Sequence, residues 1–67
     1  MIRITVNGKT QDLEEEVSVS ELLEKLELPT NRIAIELNKN VVSRRNWQTV
    51  SVGDKDELEI IHFVGGG

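Results

Sequence analysis

Sixty-seven residues hold one domain with one core, and a chain this short buries only about 60% of its unfolded surface, so its fold must be economical. No cysteine is present, which excludes disulfide staples, a thiolate metal site and a cysteine nucleophile, and the lone His62 has no companions for a zinc site. Twelve acids against eight bases leave a net charge of −4, the wrong sign for a phosphate-binding stripe. With only Trp47 and Phe63 aromatic there is no base-stacking platform either, so no nucleic-acid partner is expected. The same charge suits docking onto a basic protein surface. No stretch is long and apolar enough to span a bilayer, and MIRITVNGK lacks the apolar region of a secretory signal. A soluble, cytoplasmic protein with no membrane partner is therefore expected.

MIRITV alternates, with Ile2, Ile4 and Val6 on one face and Arg3 and Thr5 on the other, as a half-buried strand does. Asn7-Gly8 is the favoured two-residue hairpin turn because both residues tolerate positive φ, and KTQDL returns as the second strand. The period then changes. Val19, Leu22, Leu23 and Leu26 form one helical stripe, opened by a Ser18-x-x-Glu21 capping box and barred from continuing by Pro29. RIAIELN predicts a strand over Ile33 to Leu37, followed by a turn near Asn38-Lys39-Asn40 and a short strand at Val41-Val42. SRRNWQTVSV reads as an irregular segment anchored in the core by Trp47, GDKDE as a turn, and LEIIHFV as a last strand over 58–64.

The order is ββαββ with a short fourth strand, an α+β architecture in which a mixed sheet grasps one helix. The right-handed crossover places a later strand parallel to the first, and Leu58, Ile60 and Ile61 are apolar enough to make it the central one. The face carrying Arg3, Thr5 and Glu59 stays wet and free for a partner. Residues 1–64 are expected to form the domain and 65–67 a flexible glycine tail.

Motifs that suggest chemistry fail in detail. NGKT lacks the first glycine of a phosphate loop, which would have to stand at Arg3, and it leads into a strand. A calcium loop starting at Asp54 would need glycine at Glu59 and glutamate at Gly65. Glu14 to Glu16 is a solvated run beside the helix start, where negative charge suits the helix dipole. Paired-carboxylate catalysis needs a cleft that so small a chain hardly makes. His62 has no serine, cysteine or metal companion and reads as a strand residue at the sheet edge or a partner surface. Arg44-Arg45, the one local basic pair, is either solvated loop or a contact for an acidic partner. No catalytic residue and no metal ligand is expected.

What remains is the end, His62-Phe63-Val64-Gly65-Gly66-Gly67. Glycine makes up roughly 7% of residues, so three in a row at this place by chance is about a 0.03% event. Glycines lack Cβ and let a backbone pass through a narrow channel, and three extended residues reach about 10 Å. A terminal carboxylate, ionised in the cell, is a poor electrophile until it is converted to an acyl adenylate. The tail therefore reads as a reactive arm presented to the active sites of other proteins.

The chain resembles the ubiquitin-like β-grasp sulfur carriers, and among them the ThiS family of thiamine biosynthesis. The likeness rests on VNG after the first strand, LLEKLEL in the helix, IAIELN followed by VVSRRNW, and above all on LEIIHFVGGG. It implies that a ThiF-type, ubiquitin-activating-like enzyme adenylates Gly67 with MgATP. Sulfur from a cysteine desulfurase route then displaces AMP to give a thiocarboxylate, and a ThiG-type thiazole synthase takes the sulfur. No bound cofactor is implied. Gly66 and Gly67 match the reactive diglycine, with Gly65 extending its reach. Phe63 and Val64 match the apolar approach that docks the partners, flanked by His62, and Arg44 matches a family arginine. The sequence departs from the pattern at Ser43, where proline is common, and at Glu27 and Lys55, where glycine is frequent. Two neighbouring readings stay open at this point: a molybdopterin-synthase small subunit of the MoaD kind, and a covalent protein modifier. A plain interaction domain is the third.

Overall fold

The computed structural model describes residues 1–63. Strands β1 (Ile2–Val6) and β2 (Lys9–Leu13) form the hairpin, followed by the two-residue β3 (Val17–Ser18) and helix α1 (Val19–Lys25). Then come β4 (Ile33–Leu37), β5 (Asn40–Val42), a single 3-10 turn (Arg44–Asn46), β6 (Ser51–Val52) and β7 (Glu57–His62). The main sheet has the order β2-β1-β7-β4-β5, with β7 parallel to β1 and antiparallel to β4. The last strand is thus central, as expected from the crossover.

Local chemistry sets the turns. Asn7 (φ 50°) and Gly8 (φ 82°) give the hairpin both of its left-handed residues, and Asn38 (φ 51°) and Lys39 (φ 71°) do the same between β4 and β5. Ile4, Val6, Ile33, Ile35, Leu58 and Ile60 point inward and meet Val19, Leu22 and Leu23 of the helix. Burying each such side chain contributes about 1.5–3 kcal/mol. Trp47 is buried as its anchoring role requires, and its indole N–H donates to the Val42 carbonyl at 3.1 Å.

Three details differ from the sequence expectation. The helix stops at Lys25, ahead of Pro29, because Glu27 turns left-handed (φ 56°) and Leu28 N–H reaches back to the Leu23 carbonyl at 3.2 Å. The segment after β5 is not wholly irregular, since β6 pairs with β3, Val17 opposite Val52. β7 ends at His62, so Phe63 is outside the strand, while Val64 lies outside the described residues. Within that central strand Leu58 and Ile60 enter the core, and alternation turns Ile61 to the outer face, 40% exposed.

The loop that carries Trp47 also closes the helix start. Val19 N–H donates to the Val50 carbonyl and Ser20 N–H to the Trp47 carbonyl, at 3.0 and 2.9 Å. Ser18 N–H donates to Glu21 Oε1 and Glu21 N–H to Ser18 Oγ, at 3.0 and 3.1 Å. All four donors at the helix N-terminus are therefore satisfied within the protein.

Candidate functional site

The end of β7 is where the fold delivers the terminal segment. On its β4 side, Ala34 stands opposite Ile61 and Ile33 opposite His62, and Phe63 N–H donates to the Arg32 carbonyl at 2.8 Å. Arg32 is left-handed there (φ 62°), which turns its carbonyl to this last rung. Phe63 is 57% exposed, and Val41 on β5 is 72% exposed on the same outer face as Ala34 and Ile61.

His62 sits at the end of a central strand, not on an edge strand, and is exposed. β5 runs toward the Ile33 end of β4, so the turn bearing Arg44 follows at the same end of the sheet. The Arg44 guanidinium lies over the Trp47 ring, 4.4 Å from its centroid, which holds it against a buried anchor. The structure thus gathers Phe63, His62 and Arg44 at one end of the sheet. Val64, Gly65, Gly66 and Gly67 lie outside the described residues, as does the proposed 65–67 tail.

On the outer face Arg3 donates to Asp12, its register partner, at 2.9 Å. That hydrogen bond raises the arginine further and lowers the carboxyl. A groove of about 520 Å³ between β2 and α1 is lined by Glu14, Glu15, Glu16, Glu21 and Lys25, at the end of the sheet away from Phe63. Among the described residues no group of three or more acids and histidines is placed to hold a metal ion. No described helix is long and apolar enough to cross a membrane.

The outward position of Ile61 was readable, since strict alternation from Leu58 and Ile60 puts it on the other face. The side chain of Asn7 was not: it hydrogen-bonds both backbone groups of Ile60, far along the chain.

A five-stranded mixed sheet around a single helix, with the last strand central and parallel to the first, defines a ubiquitin-like β-grasp domain. The ThiS family model matches residues 4–67. The crystal structure of the thiamine biosynthesis protein ThiS from Geobacter metallireducens superposes with a TM-score of 0.88 at 35% identity, covering 98% of this chain and 100% of that one. The sulfur carrier protein ThiS of Bacillus subtilis is 31% identical over 65 residues, 96% of this chain and 98% of that protein. A thiazole synthase from Paramagnetospirillum magneticum is 32% identical over 66 residues, 98% of this chain but 20% of the enzyme, so the chain spans about one fifth of that relative's length. The chain belongs to the ThiS family.

Proposed function

We propose that this protein is a sulfur carrier for thiazole formation and that the α-carboxylate of Gly67 is the carrying group. The observation that carries the reading is the family match, which runs through the terminal glycines to residue 67. Reactivity follows from elementary chemistry. A carboxylate oxygen of Gly67 attacks the α-phosphorus of MgATP in a ThiF-type partner, forming an acyl adenylate and releasing pyrophosphate. The terminal sulfur of a persulfide delivered by a cysteine desulfurase route attacks the acyl carbon and AMP leaves, giving an acyl disulfide. A thiol then cleaves its S–S bond by exchange, so that a new disulfide forms on the donor and a thiocarboxylate remains for thiazole synthase. Docking falls to Phe63, Val64, His62 and Arg44, and Gly65 and Gly66 give the carboxylate access to a narrow site. The stretch similar to this chain inside a thiazole synthase favours that enzyme as acceptor over molybdopterin synthase.

The test is the intact mass after incubation with a ThiF-type enzyme, MgATP and a sulfur source. An oxygen-to-sulfur increase mapped to Gly67 is expected, and a chain lacking Gly66 and Gly67 should stay unmodified. An unchanged mass, with the enzyme proven active on another carrier, overturns the reading.

A further inference from the structure

β1 and β7 pair through only two register positions, Thr5 with Glu57 and Val6 with Leu58, before the hairpin turn carries the chain away. The ladder does not stop there. Asn7 N–H donates to the Leu58 carbonyl at 2.9 Å, Asn7 Oδ1 accepts the Ile60 N–H at 2.7 Å, and Asn7 Nδ2 donates to the Ile60 carbonyl at 3.3 Å. One side-chain amide thus stands in for the missing residue of β1. Only this orientation of the amide satisfies both groups, because an oxygen must face the N–H and an NH₂ the carbonyl.

On the other side, β4 and Arg32 hold β7 as far as Phe63. β7 is therefore held on both sides, on the β1 side through the N–H and C=O of Ile60 and on the β4 side as far as Phe63, and among the described residues the Asn7 amide is the last tie on the β1 side. We infer that Asn7 is a positioning residue for the terminal arm: its carboxamide fixes the end of β7 and so sets the direction in which Phe63 leaves the sheet toward a partner's active site. This deepens the carrier reading and rests on it. An arm that emerges from a loosely held strand end reaches the adenylating site in the reactive geometry less often, and small misplacements of reacting groups carry large rate penalties.

Asn7→Gly keeps the left-handed turn, removes both side-chain bonds, and leaves Gly-Gly, a favoured hairpin pair. Asn7→Asp keeps the turn and the acceptor but sets an oxygen against the Ile60 carbonyl. Two readouts separate positioning from mere stability. Amide order parameters by ¹⁵N relaxation should fall at Ile60 and Phe63 in both variants, with β2 and α1 unchanged. In adenylation by a ThiF-type enzyme, kcat should fall about tenfold, more than KM for the carrier rises, because every docking side chain is still present while the arm reaches the reactive geometry less often. Unchanged order at Phe63, or an unchanged kcat with a wild-type chain that is adenylated, overturns the inference. If the wild-type chain is not adenylated, the carrier reading falls, and the relaxation data alone decide whether Asn7 holds the strand end.

Discussion

Among the described residues six non-glycine residues adopt positive φ, and two of them stand where a glycine would be at ease. Glu27 (φ 56°) sits one residue beyond the cap of α1, and Lys55 (φ 71°) is the third residue of the Gly53–Asp56 turn, closed by Asp56 N–H to the Gly53 carbonyl at 3.1 Å. A left-handed L-residue costs about 1–2 kcal/mol, while glycine's extra entropy loss returns about 0.5–1 kcal/mol of that. Glu27→Gly and Lys55→Gly should therefore each stabilise by about 0.5–1 kcal/mol, raising Tm by a few degrees in a domain this small. Glu24→Gly, inside the helix, should instead cost about 1 kcal/mol. Thermal denaturation followed by circular dichroism checks all three. These sites were legible before any coordinates, because the family resemblance already marked both as departures from an expected glycine. Arg32 was not, since its left-handed turn answers a partner, Phe63, distant in sequence.

The capping box of α1 makes an element-scale prediction. The backbone N–H of Ser18 donates to the Glu21 carboxylate, and this, with the Ser18 hydroxyl and more weakly Lys25, holds the carboxyl below the ordinary glutamate value. A lowered folded-state pKa contributes stability at pH values above the unfolded value of about 4.3, lost as pH falls through the folded one. Glu21→Gln keeps an acceptor for the Ser18 N–H but removes the charge. It should melt below wild type at neutral pH, and the gap should close on acidification below the folded-state pKa. Parallel Tm-versus-pH curves would contradict this. At this scale the cap and both hairpins were plain in local residue chemistry. The β3–β6 pair was not, because two residues per strand are too few to show alternation, and Val17 and Val52 meet only once the loop has folded over the helix start.

For the whole molecule, the division between the core and the proposed docking surface decides what a mutation does. The buried residues run from Ile4 to Ile60, while Phe63 is 57% exposed just past the central strand. Phe63→Ala should shift stability by less than about 0.5 kcal/mol, as surface changes do, and weaken binding to the proposed adenylating partner by about 1–2 kcal/mol if the ring anchors that interface. Calorimetric titration beside a melting curve separates the two. A large loss of stability with unchanged binding would place the ring in the core in solution.

The sequence by itself determined what nearby residues encode: strand alternation, two-residue turns, the Ser18–Glu21 cap and the run of terminal glycines. These signals lie within a few residues of one another, so backbone sterics and local hydrogen bonds suffice to read them. Only the tertiary structure decided how distant segments serve one another. The helix start takes its carbonyl partners from Val50 and Trp47, and Asn7 extends the ladder of a strand more than fifty residues away. Such bonds depend on the register and packing of the complete sheet, which no short window of sequence contains.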